Sequence, residues 1–251
     1  QMNAMMGRMA SMKIRFVYEE EVLGMTSANK DIYMRFFADK APDAPSREEE
    51  IAALGADAVM EKSATIFPRD EEDNPIFWDY QIKGSFKDAC GGLGRAKGTL
   101  SSRLPAQNKV IDNLVFVSPR KVKIVTEEKK SLADSGRCQR PLFGMTKQGP
   151  RIALACSETV PAGSSIEFTV HWMELKDAKP PKIKTSTKEE EEEKGKQTKE
   201  EKKPPKKKVT MRDLICEWLD FNAMRGFAQW RNSGKGRYHW EILEEKEADK
   251  A

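Results

Sequence analysis

The residues best equipped for chemistry lie between glycines near the C-terminal end of the sequence. They are Phe227, Trp230, Arg231, Asn232, Ser233, Lys235 and Arg237, set among Gly226, Gly234 and Gly236. Glycine tolerates positive φ and lets another backbone approach closely. Arginine and lysine beside exposed amides hold phosphate oxygens. An aromatic ring such as Trp230 or Phe227 offers an unpaired base a plane to stack on. Alone, such a stretch is equally a β-turn. A second segment, Lys83-Gly84-Ser85-Phe86-Lys87, follows an apolar strand pattern. With Ser85 as an N-cap it would place Lys83, Ser85 and Lys87 at a helix N-terminus, where anions bind. Neither segment is a P-loop, because Gly-x-x-x-x-Gly-Lys-Ser/Thr is absent. The stretch 91–98, which carries Arg95 and Lys97, lacks the βαβ setting and the acidic residue of a dinucleotide site.

Charge along the chain points the same way. Residues 19–79 hold sixteen acids against six bases, whereas 83–123 hold nine bases against Asp88 and Asp112. Residues 137–151 and 225–239 each carry four bases and no acid. Such asymmetry predicts a polyanion-binding face and an acidic face, the alternative being mutual neutralisation within the fold. Catalysis finds less support. The two histidines, His171 and His239, both sit in strand patterns, and no Ser or Cys context around them makes a triad. Cys90, Cys138, Cys156 and Cys216 form no Cys-x-x-Cys motif, so four reduced thiols and a cytosolic location are expected. The run Asp70-Glu71-Glu72-Asp73 reads as a solvated hairpin tip rather than a cation site. No cofactor and no resident metal are expected, and no run of eighteen apolar residues marks a membrane span.

The elements that must position these residues read as follows. Residues 12–18 alternate as a strand with Ile14, Phe16 and Tyr18 on one side. Helices are expected over 28–41 and 46–54, and strands over 64–67 and 76–82 around an acidic turn, forming a hairpin. A helix over 86–93 follows, then strands at 110–117, 122–125, 152–159 and 165–172, with a polar loop over 127–141. Residues 176–208 carry thirteen lysines, eight acids and four prolines, and are expected to stay disordered as a Lys/Glu-rich insert. Thr210 caps a helix through Arg225 that Gly226 ends, and a closing strand covers 238–243. Residues 1–11 read as a leader or alternative start. The domain plan is thus one α+β core over 12–175, the insert, and 209–251 completing the same domain.

Three short segments, in this order, resemble the RAMP superfamily, the CRISPR-associated RNA-binding subunits. Lys83-Gly84-Ser85-Phe86-Lys87 is similar to that family's Gly-Ser-x-Lys/Arg turn. Pro161-Ala162-Gly163-Ser164-Ser165-Ile166-Glu167-Phe168 is similar to its entry into a late strand. The helix before Gly226 with Asn232-Ser233-Gly234-Lys235-Gly236-Arg237 is similar to its C-terminal glycine loop, with a departure at 227–230. The resemblance implies an RRM/ferredoxin-like antiparallel sheet packed by helices. It also implies binding of single-stranded RNA, favoured over DNA, through Lys83, Ser85, Lys87, Arg231, Lys235 and Arg237, with Arg95, Lys97 and Trp230 beside them. The implied setting is a multi-subunit or filamentous, self-associating assembly, CRISPR-like or phage-encoded, and non-catalytic. The alternatives are a phage single-stranded DNA-binding protein, a metal-dependent ribonuclease using Asp31, and a self-assembling structural phage protein.

Overall fold

The computed structural model describes residues 8–27, 64–126, 136–146, 149–175 and 209–248. Strand β1 (Ala10–Tyr18) alternates without a break: Ala10, Met12, Ile14, Phe16 and Tyr18 are buried, and the residues between them are half-buried. It begins two residues before the pattern read from the sequence, so Ala10 and Ser11 belong to the fold. The antiparallel neighbours of β1 are β10 (Ser165–Trp172) on one side and β11 (Tyr238–Lys246) on the other.

Beyond β10 lie β6 (Val115–Ser118) and β7 (Lys121–Val125), two halves of one interrupted strand, and then β5 (Ile76–Trp78). The order is β11-β1-β10-β7-β5, with β6 also on β10. Helices α1 (Asp79–Leu93), α2 (Gln107–Leu114) and α3 (Met211–Arg225) complete the unit. Taking β1, α1, β6/β7, β10, α3 and β11 in turn gives the β-α-β-β-α-β path of the ferredoxin-like fold. The α+β, RRM/ferredoxin-like architecture expected from the sequence is therefore the one formed. Its core interleaves Phe16, Phe168 and Tyr238 of the sheet with Phe86 of α1 and Leu214, Ile215 and Trp218 of α3.

A smaller sheet joins β2 (Val22–Leu23), β9 (Gly149–Val160), β4 (Thr65–Ile66) and β3 (Thr26–Ser27) in that order, with β8 (Gly136–Thr146) also on β9.

Four local expectations are corrected. The helix expected from Ser85 starts at Asp79, because Gln81 accepts from the Trp78 amide at 2.8 Å. Ile82 then joins Phe86, Ala89 and Cys90 on one buried helical face instead of ending a strand. Residues 110–114 are helical, since Ile111 packs into the core at helical spacing, and the strand opens only at Val115. The expected loop over 127–141 gives way from residue 136 to β8, paired with β9 from Gly136↔Thr159 to Thr146↔Gly149. Pro141 is tolerated there because β8 is an edge strand. Finally, β4 and β5 do not pair with each other, and the segment between them carries only the isolated bridge Arg69↔Pro75, so no regular hairpin forms. The acidic tip it encloses is a turn in which Asp70 accepts from the Asn74 amide at 2.8 Å. Hydrogen bonding from the Asn74 side chain holds the Asp70 carboxyl well below the usual range.

The helices expected over 28–41 and 46–54, Asp31, most of the leader and the 176–208 insert lie outside the described residues. Among the described residues no helix is long and apolar enough to cross a membrane. Helix α3 starts as expected, with Thr210 Oγ1 accepting from the Asp213 amide at 3.1 Å. Thr210→Ala is expected to lower stability by about 1 kcal/mol, read as a lower urea midpoint with an unchanged slope.

Candidate nucleic-acid interface

The 226–237 loop is built on alternating backbone handedness. Gly226, Ala228, Trp230, Gly234 and Gly236 all have positive φ. Two of the glycines are there for the protein's own backbone. A Cβ on Gly226 would stand 2.3 Å from the Lys235 carbonyl oxygen, and one on Gly236 would stand 2.0 Å from that of Phe227. The Phe227 amide donates to Gly236 O at 2.8 Å and the Gly236 amide to Glu21 O at 2.9 Å. The two ends of the loop are thereby closed on each other and on the chain after β1. Phe227 is 3% exposed and packs edge-on against Phe77, so it is core and not a stacking plane. Trp230 is 38% exposed, and the guanidinium of Arg140 lies 4.8 Å from its ring centroid.

Ion pairs sort the remaining cations. Lys83 donates to the Asp112 carbonyl at 2.8 Å and lies over the Phe116 ring, while Lys87 pairs with the Asp112 carboxylate. Ser85 sits inside α1 and its hydroxyl donates to Ile82 O at 2.7 Å. The helix N-terminal anion site expected from these three residues is therefore not formed, because the helix begins at Asp79, seven residues before the expected start. Burial lowers the Lys83 ammonium pKa. On the loop, Arg231 and Arg225 share Asp88 at 2.6 and 2.7 Å, and Lys235 pairs with Glu21 at 2.6 Å, which raises its pKa. Arg237 is exposed and pairs with no carboxylate among the described residues. It borders a cleft of about 480 Å³ lined also by Glu19, Ala223, Met224 and Tyr238.

Arg95 and Lys97 behave differently from the helical lysines. They lie with Arg103 in the connection from α1 to α2, Lys109 follows in the first turn of α2, and all four are exposed. None of them pairs with a carboxylate among the described residues, and residues 89–111 contain no acid. The connection is nonetheless fixed. Glu217 of α3 accepts from the amides of Leu100 and Ser101 at 2.6 and 2.9 Å and from the Ser101 hydroxyl at 2.6 Å. Trp218 Nε1 donates to the same hydroxyl at 2.9 Å. Exposed cations on an anchored turn need little ordering to meet a phosphate row.

The sheet face opposite the helices is built otherwise. There Arg15 bonds Glu167 at 2.6 Å and Glu241 at 2.8 Å, and Lys13 stands 3.5 Å from Glu167. This interlocked charge takes the place that stacking aromatics occupy on an RNA-binding RRM sheet. His171 Nε2 is 2.9 Å from Ser118 Oγ, with its pKa lowered by burial, and His239 is 3.4 Å from Glu19. They face Ser11 and Val17 on opposite flanks of β1, about 20 Å apart along the strand. The two do not meet.

Arg103, Lys109, Arg140 and Glu217 had no place in the site read from the sequence. The acid-free runs around Arg103, Lys109 and Arg140 were the available signal for those three.

No family model matches this chain, and no curated protein matches it. Among solved structures, a chain of a Type IV-B CRISPR complex is similar with a TM-score of 0.41 and 8% identity, over 93% of this chain and 90% of that one.

Proposed function

We propose that this chain is a non-catalytic subunit that grips the sugar–phosphate backbone of single-stranded RNA in a multi-subunit, CRISPR-type assembly. The observation that carries the reading is the anchored connection bearing Arg95, Lys97 and Arg103, with Lys109 at the start of α2, four cations that pair with no carboxylate among the described residues. Arg237 and Trp230 extend it on the loop side. Asp88 of α1 bonds the loop through Arg231, and the basic connection starts at the C-terminal end of the same helix. Contacts of this kind are sequence-independent, which suits a chain that holds a strand along its length.

Filter binding of the full chain to single-stranded RNA, single-stranded DNA and duplex at several salt concentrations tests the proposal. Single-stranded RNA is expected to bind best, with affinity falling as salt rises. Replacing Arg95, Lys97, Arg103 and Lys109 together by alanine is expected to flatten the log–log salt slope by about 3, at about 0.7 per phosphate lost on a single strand. Absence of binding to every strand would sink the proposal in favour of a self-assembling structural protein. Preference for DNA would favour a replication protein. Magnesium-dependent cleavage lost in Asp31→Ala would make it a nuclease.

A further inference from the structure

Arg140 is the anomaly of the smaller sheet. It sits on β8, is 7% exposed, and donates from Nη1 to Ser157 Oγ at 3.1 Å and from Nη2 to Gln229 Oε1 at 3.2 Å. Both acceptors are neutral. Nε is buried with no partner, and no carboxylate among the described residues pairs with this guanidinium. The neighbouring Glu158 is already engaged by Arg69 and by the Phe67 amide at 2.7 Å. Arginine is rarely this buried without a counter-charge, because desolvating the cation is costly unless an anion compensates it.

What covers Arg140 is Trp230, whose backbone is itself unusual. Trp230 is left-handed at φ 56, ψ 34 and leads directly into the 3₁₀ turn Arg231–Ser233. A left-handed residue followed by right-handed ones turns successive amides toward a common concavity, a backbone nest for anions. The amides of Trp230, Arg231 and Asn232 donate to nothing among the described residues, the turn's own bonds running from Ser233 and Gly234. A residue with a strained left-handed backbone, three amides without partners among the described residues and a guanidinium without a carboxylate partner there thus converge on one short segment.

We infer that Trp230, the amides of residues 230–232 and Arg140 form a one-nucleotide subsite. A backbone phosphate sits on the amides, and its unpaired base stacks on the outer face of Trp230. Arg140 on the inner face supplies the positive charge that the phosphate balances. The inference rests on the chain being a single-strand binder, and it names where one base is held. This segment is also where the sequence departs from the glycine loop it otherwise resembles, so the subsite is a property of this chain.

The test compares wild type, Trp230→Leu, Arg140→Gln and Arg140→Lys on an oligoadenylate and on an abasic strand of equal length. Trp230→Leu is expected to weaken oligoadenylate binding by roughly 5- to 150-fold, the range for one lost base stack, and to leave the abasic strand unaffected. Arg140→Gln is expected to weaken both strands and flatten the salt slope by about 0.7, and Arg140→Lys to restore the slope. Equal losses on both strands in Trp230→Leu would reduce the indole to a structural role and overturn the subsite, as would unchanged binding in both variants. Wild type that binds neither strand would instead refute the function itself. If Arg140→Gln does not fold, photocrosslinking wild type to a 5-iodouridine strand decides the matter: a crosslink at Trp230 upholds the subsite, and crosslinks confined to other residues overturn it.

Discussion

Gly236→Ala is expected to destabilise the fold by about 3 kcal/mol or more, lowering Tm by roughly 6–12 °C for a chain of this size. Gly236 has φ 71, and its added Cβ would lie 2.0 Å from Phe227 O and 2.9 Å from Phe227 N. Those are main-chain atoms and cannot swing aside. The Phe227 amide is bonded to Gly236 O, and its ring is wedged 4.8 Å from Phe77 in the core. Relief therefore requires opening the loop or pulling Phe227 out of the interior. Gly84→Ala is the built-in contrast. Gly84 lies inside α1 with nothing within 4 Å of its added Cβ, so that change is expected to stabilise by about 0.5–1 kcal/mol. Differential scanning calorimetry on the two variants should move Tm in opposite directions. A Gly236→Ala protein that melts with wild type would mean that the loop is not closed on its own backbone.

The contrast shows what a sequence can and cannot carry. Strands β1 and β10 and helix α3 were legible because a half-buried strand or helix writes its burial into local spacing. Met12, Ile14 and Phe16 pair in register with Val170, Phe168 and Ile166, so the two patterns describe a single surface. The start of α1 was not legible, since Ile76, Phe77 and Ile82 form an apolar run across a strand–helix junction, and only the Gln81 side chain reveals the boundary. Strand β8 was hidden because its edge position leaves polar residues and a proline free to occupy it.

Site chemistry was harder still. Glycine and lysine spacing is the same whether a loop approaches a phosphate or its own chain. At Gly226 and Gly236 the deciding contacts are Lys235 O and Phe227 O. Local charge counts also misjudge cations whose partners are remote in sequence, as with Arg231 on Asp88 and Lys235 on Glu21. Arg95 and Lys97 kept their exposure because the acids nearest them in sequence, Asp88 and Asp112, are engaged elsewhere.

Under the proposed function that engagement makes Asp88 a brake on strand binding, and Asp88→Asn is expected to raise affinity for single-stranded RNA while lowering stability. Asn is nearly isosteric and keeps an acceptor oxygen, so the loop should hold its place while Arg225 and Arg231 lose their counter-charge. Two more cations available to phosphates would steepen the salt slope by up to about 1.4 at 0.7 each, with several-fold tighter binding at low salt. The loss in stability should be about 1 kcal/mol, since the pair is partly exposed and screened. Its pH dependence has a definite sign. Burial acts to raise the Asp88 pKa, but the hydrogen bonds and charges of Arg231 and Arg225 outweigh it, and the folded value lies below the ordinary one. A depressed carboxylate stabilises fully above its unfolded value of about 3.9, and ceases to do so as pH falls through the lower folded value. The stability difference between wild type and Asp88→Asn should therefore be constant from neutral pH down to about 5 and close below about 4. Urea titrations at stepped pH, paired with RNA binding at two salt concentrations, read both effects. Tighter binding would identify Arg225 and Arg231 as cations turned toward the strand, and unchanged binding would confine the strand to the Arg95–Lys109 side.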